Sequence, residues 1–129
     1  MIYYKVLREN LLSATTYTRG VEVQYKVDEW IKPQVENTKL MVFETFELAK
    51  RFCDKLCGQR YIYSCEVANP QPAPAKLCSV WSEQKYGAFW ENKVNENLIN
   101  LPSPQGTIIC DAVKLIEQQY KWQRYVVQS

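Results

Sequence analysis

The chain contains no histidine. Imidazole is the commonest general base near neutral pH, the orienting member of serine and cysteine nucleophile triads, and the commonest metal ligand. Any chemistry here has to use carboxylates, cysteine, tyrosine, lysine or arginine. Glycine is scarce too: Gly20, Gly58, Gly87 and Gly106 are the only four, and none belongs to a GxGxxG or GxxxxGK arrangement. That excludes Walker-type ATPases, kinases and dinucleotide-binding Rossmann domains, whose loops cradle phosphates with glycine backbone. Ser82 and Ser103 sit in no nucleophile elbow and have no histidine partner. Long apolar runs are missing, since none approaches the ~20 residues of a membrane span. Lys5, Arg8 and Glu9 interrupt the first twelve positions, so no signal-peptide core is expected there. A soluble, cytoplasmic protein without a membrane partner is the expectation.

What remains is an ordinary globular composition: 129 residues, 47% apolar, 23% charged, with sixteen Lys and Arg against fourteen Asp and Glu. This length predicts a single domain over residues 1–129. The net charge of +2 gives no strong field toward nucleic acid or an anionic surface. The five cysteines, Cys53, Cys57, Cys65, Cys78 and Cys110, are odd in number. Without an export signal they are expected as reduced thiols, acting as small buried hydrophobes. Cys53 and Cys57 would share a helix face as half of a thiolate site, but no second close pair exists to complete it. No metal and no cofactor are expected.

The pattern along the chain predicts an α+β fold, a single mainly antiparallel or mixed sheet with one amphipathic helix over about residues 45–57. Ile2 to Leu7 is rich in strand formers. Ser13 to Gly20 reads as a turn, and Val21 to Val27 alternates apolar and polar as a half-buried strand does. Pro33 places Trp30 and Ile31 in a loop. Leu40 to Phe43 is a short buried strand running into the helix, whose stripe is Phe46, Ala49, Phe52, Cys53 and Leu56. Thr45 is its expected N-cap and Gly58 its expected stop. Arg60 to Val67 alternates again. Pro70, Pro72 and Pro74 then favour a stiff solvated connector over a ligand for an SH3-type partner. Leu77 to Trp81 reads as a short strand, and residues 82–100 suit helix or irregular packing. Thr107 to Leu115 is apolar on both sides, as a central strand is. Residues 117–127 suit a strand continuing the sheet or a terminal helix, with strand favoured.

Asp111 is the first candidate for chemistry. On a strand it shares a face with Ile109, Val113 and Leu115, and a carboxylate in such company must be paired or shifted in pKa. Glu66, on a face with Ile62 and Ser64, is the comparable case on an earlier strand. Lys50, Arg51, Lys55 and Arg60 against Asp54 give +3 over residues 49–60, a basic helix face for RNA or a plain solvated surface. Trp122, Arg124 and Tyr125 interleave aromatic and basic character as interface hot spots do.

Several stretches carry a resemblance: Tyr4 to Leu7, Trp30 to Pro33, Lys39 to Phe43 running into Thr45 to Phe52, Ile62 to Val67, and Gly106 to Leu115. Over most of its length the chain resembles small uncharacterised proteins of viruses, phages and bacteria. The strand leading into a helix marked Ala49-Lys50-Arg51-Phe52, followed by later strands, also resembles ADP-ribosyltransferase-like folds. That second resemblance implies NAD handling with Arg8 on the first strand and Asp111 as the late acidic residue. The histidine form of such a site is excluded by composition, and no Glu-x-Glu motif is present. The leading expectation is a non-catalytic interaction protein of viral, phage or mobile-element origin that covers a surface on a host macromolecule, with a protein partner. Its interaction residues would be Trp122, Arg124, Tyr125, Lys50, Arg51 and Lys55. The alternatives are an NAD- or nucleotide-binding enzyme or degenerate relative using Arg8 and Asp111, and a small RNA-binding module.

Overall fold

The structure is a computed structural model that describes residues 1–14, 22–34, 39–56, 58–73, 76–78, 100–102 and 104–124. The fold is α+β. Its strands are β1 (Tyr3–Arg8), β2 (Leu12–Ser13), β3 (Trp30–Ile31), β4 (Leu40–Phe43), β5 (Gly58–Ala68), β6 (Gln71–Pro72), β7 (Lys76–Cys78), β8 (Asn100–Pro102), β9 (Thr107–Cys110) and β10 (Ala112–Arg124), and its helix is α1 (Phe46–Cys53). Eight strands form one sheet in the order β3-β10-β5-β1-β4-β9-β6, with β2 paired to β1, and β7 pairs β8 separately. All the strand pairings are antiparallel.

Connectivity forces the sheet to curl. Only Asp111 separates β9 from β10, yet β4, β1 and β5 stand between them in the sheet. Four strand spacings of about 4.8 Å would put them roughly 19 Å apart in a flat sheet, whereas residues flanking a single residue are at most about 7 Å apart. The sheet therefore closes at that end into a partial barrel. Tyr3, Leu7, Leu40, Val42, Cys65, Cys110, Val113 and Leu115 line its inside, together with Val23 and Tyr25 from the 22–27 segment. The outside carries α1, too wide at about 10 Å to fit within so narrow a curl. There Ala49 and Cys53 pack on Val6, Phe43 and Ile62. Tyr4 and Tyr120 meet Phe46 edge-on. A fully buried Leu or Ile contributes roughly 1.5–3 kcal/mol, and Leu7, Ile62 and Leu115 have no exposed surface.

The helix is locally specified. Thr45 is extended and its hydroxyl accepts the Leu48 N–H at 3.2 Å, as an N-cap does. The α-helix ends at Cys53, earlier than expected, because Lys55 and Leu56 bond back to Phe52 and Cys53 in a tightened final turn. Gly58 opens β5 rather than capping the helix, and Cys57 lies outside the described residues. Gly106, at a φ of +80°, turns the chain into β9, and a Cβ there would collide with Leu48 of α1.

Four expectations about strands change. Within the alternating 21–27 segment, the described residues 22–27 make single bridges, Gln24 with Leu12 and Val27 with Leu115, and not a strand. Its alternation reflects Val23 and Tyr25 turned into the core, with Gln24 and Lys26 in solvent. Trp30 and Ile31 are not loop but β3, laid against Lys114 and Val113. Thr107 to Leu115 is two strands, broken at Asp111. Part of the proline segment is also strand: Gln71 and Pro72 pair with β9 at the sheet edge, where a missing N–H costs least. Residues 117–124 do continue the sheet, with two register shifts against β5. Such bulges twist an edge and discourage stray pairing. The turn at 15–20, residues 82–99, Pro74, Ser103 and Tyr125 lie outside the described residues.

Candidate functional site

Asp111 stands at the β9–β10 corner and not on a strand face. Its carboxylate accepts hydrogen bonds from Lys39 Nζ and from Asn69 Nδ2, the latter at 2.8 Å, while its N–H donates to the Ala68 carbonyl at 2.9 Å. The Lys39 bond, then that of Asn69, holds the carboxyl below its ordinary range. This is a polar clasp joining the corner to the β5–β6 turn and to the entry of β4.

Arg8 closes the other end of β1. It pairs with the Glu22 carboxylate, and its Nε donates to the Ser13 carbonyl at 2.8 Å. Ser13 Oγ in turn accepts the Val23 N–H at 2.9 Å, so this group fastens the 22–27 segment over the barrel. Arg8 follows Leu7, which faces Tyr61, whereas Asp111 abuts Ala68. The stretch of β5 between those levels spans roughly 23 Å at strand rise. Glu66 is exposed and stands opposite Lys114. Arg8, Glu66 and Asp111 are thus not brought together.

On α1, Lys50 Nζ donates to Asp54 Oδ2 at 2.9 Å and lies 5.4 Å from the Tyr120 ring centroid. The Asp54 hydrogen bond raises the Lys50 pKa. Burial, followed by the Asp54 charge, raises that of Tyr120, whose hydroxyl donates to Asp54 Oδ1 at 3.3 Å. Arg51 and Lys55 face solvent. Arg60, counted with them in the sequence, is buried, and its Nη1 donates to the Gln59 carbonyl at 2.9 Å. The basic face is therefore smaller than its residue types suggest. Trp122 and Arg124 take register opposite Arg60 and Gly58.

Cys53, Cys65 and Cys110 are free and buried. Burial pushes their thiols up, to about 11, about 12 and about 11 respectively. At neutral pH they stay protonated and are poor nucleophiles. Among the described residues no group of three or more Cys, Asp or Glu side chains is placed to hold a metal ion, and no helix is long and apolar enough to cross a membrane.

Two features were not singled out from the sequence. Lys5 is buried, 8% exposed, with Nζ donating to the Met41 carbonyl at 2.6 Å and lying 5.1 Å from the Tyr25 ring centroid. Burial lowers its pKa to about 8. The available signal was phase, because Lys5 alternates with Tyr3 and Leu7 on the core side of β1. The second is Trp30, 50% exposed, with Val27, three residues before it, at 41%. Asp28, Glu29 and Lys32, all exposed, flank it in the sequence. A tryptophan flanked by charges was the cue. Comparison with protein families, with curated proteins and with solved structures finds no match to this chain.

Proposed function

We propose that this is a non-catalytic interaction protein that acts by covering a surface on a partner macromolecule. The exposed Trp30 and Val27 at the sheet edge carry this reading. Tryptophan offers a large rigid surface at low entropic cost, and Trp is among the residues that dominate binding energy when a partner buries them. Both sit beside β10, Trp30 paired with Lys114 and Val27 bridged to Leu115, so each exposed side chain is carried on a fixed strand. The charged side chains that flank Trp30 in the sequence resemble the polar rim of an interface. Arg8 and Asp111, each engaged in a structural clasp at its own end of the sheet, lend the NAD reading no joint site.

The test compares the wild-type chain with Trp30→Ala combined with Val27→Ser as immobilised bait for a lysate of the source cells. A stoichiometric partner retained by the wild type and lost by the variant, with both proteins melting at the same temperature, is the expected result. Absence of any stoichiometric partner, or one held equally by both baits, overturns the reading.

A further inference from the structure

The pairing between β1 and β4 is unusually short. It consists of the single register pair Tyr4 with Phe43, whereas β1 pairs β5 over five positions and β4 pairs β9 over four. Continuing the β1–β4 register would set Val6 against Met41, and no such pair forms. The Met41 carbonyl instead accepts a hydrogen bond from Lys5 Nζ. The barrel therefore has a seam, where a side-chain amine replaces backbone pairing. On the outside, α1 bridges it by packing on Val6 and Ile62 to one side and Phe43 to the other. On the inside, Lys5 is the bridge.

We propose that this seam is a pH-sensitive joint, closed when the Lys5 amine is neutral and loosened when it is protonated. A neutral amine on the Met41 carbonyl is a satisfied polar group in an apolar interior. An ammonium there is a desolvated charge whose attraction to a carbonyl and to the Tyr25 ring does not replace its hydration. The titratable groups that face it are Tyr3 on its own strand, Tyr63 and Cys65 on β5, Cys110 on β9 and Tyr25 from the 22–27 segment. Among the described residues no carboxylate pairs with it. The thiols stay protonated until well above the range in which Lys5 titrates, so they supply no counter-charge. Relief comes from admitting water at the weakest pairing nearby, the β1–β4 gap that Lys5 itself spans.

Amide hydrogen exchange of the full chain, corrected for intrinsic rates and followed from pH 9 to pH 6.5, tests this. Protection over residues 40–43 should fall by roughly tenfold, the change per pH unit expected when one proton is linked to opening, while amides of residues 62–65 in the β5–β10 ladder stay within about twofold. Lys5→Met and Lys5→Gln should each hold residues 40–43 protected at both pH values, the glutamine retaining a hydrogen-bond donor that does not titrate. Constant protection in the wild type, an equal loss at residues 62–65, or a loss that persists in both variants overturns the proposal.

Discussion

The inside and outside of the curled sheet share β1, β4, β5 and β10 and solve the packing problem differently. Outside, α1 covers Val6, Phe43 and Ile62 with Ala49, Cys53 and aromatic edges, and the buried Arg60 guanidinium lies near enough to act on the Cys53 thiol. Inside, the residues are as well buried, and the Lys5 amine and two thiols lie among them with no ion-pair partner for the amine among the described residues. The outer face is closed by an element that can shift as a unit. The inner face is closed by the barrel itself, which has little freedom to adjust.

The largest effect expected from this difference concerns cavities. Ile62 on the outer side and Leu115 on the inner side are both fully buried. Truncating either to alanine should cost about 2–5 kcal/mol, the spread reflecting how far the surroundings collapse. Leu115→Ala should fall at the upper end, with strands on every side, and Ile62→Ala at the lower end, since α1 can settle inward. Urea denaturation at constant m-value reads both. Equal costs would mean that the helix is held as firmly as the barrel wall.

A smaller effect isolates the buried amine. The folded-state pKa of Lys5, about 8, lies below the 10.5 usual for a free lysine. Between those values the unfolded chain binds more protons, so stability rises as pH climbs through that window, and below pH 8 the whole cost, roughly 3 kcal/mol, is present. The three buried thiols act oppositely. Their folded pKa values of about 11 to 12 exceed the unfolded 9.0, so the stability they contribute is complete below pH 9 and lost above it. Lys5→Met should therefore remove the rise and leave the fall. At pH 7 it should stabilise by roughly 1–2 kcal/mol, less than the whole cost because the Met41 carbonyl loses its donor. Chemical denaturation from pH 6 to 10 under reducing conditions checks both signs. A variant that keeps the wild-type rise would show that another group causes it.

How much of this was legible in the sequence depends on range. Leu40 to Cys53 could be read because each step is local: a short apolar run, a threonine cap, then a 3.6-residue stripe. The 22–27 segment was half legible. Alternation reports that one side is buried, which Val23 and Tyr25 satisfy, but it does not report how long a ladder the backbone makes, and that segment bonds to Leu11 and Ser13 through an isolated bridge only. Asp111 defeated a local reading because one polar residue within a β-branched run looks like a strand position, and only the sheet order shows that the chain turns there. The separation of Arg8 from Asp111 is likewise a property of register, which no single segment encodes. Lys5 was in phase with the core from the start, but residue type outweighed phase.

The smallest expected effect contrasts the rim with the interior. Asp111 and Lys39 are paired as Lys5 is not, yet their side chains are 39% and 34% exposed. Water competes for both partners, so Asp111→Asn should cost less than about 1 kcal/mol at neutral pH. Because Lys39 and Asn69 lower the carboxyl pKa below 3.8, what the pair contributes is complete above pH 4 and disappears as pH falls through the lowered value. Wild type and Asp111→Asn should then differ slightly near neutrality and draw together as the solution is acidified, by urea midpoints at pH 7 and at successive steps below pH 4. If the loss matched that of a buried pair, about 3–5 kcal/mol, the corner would be a hinge on which barrel closure depends, and the distinction between a rim clasp and an interior charge would fail.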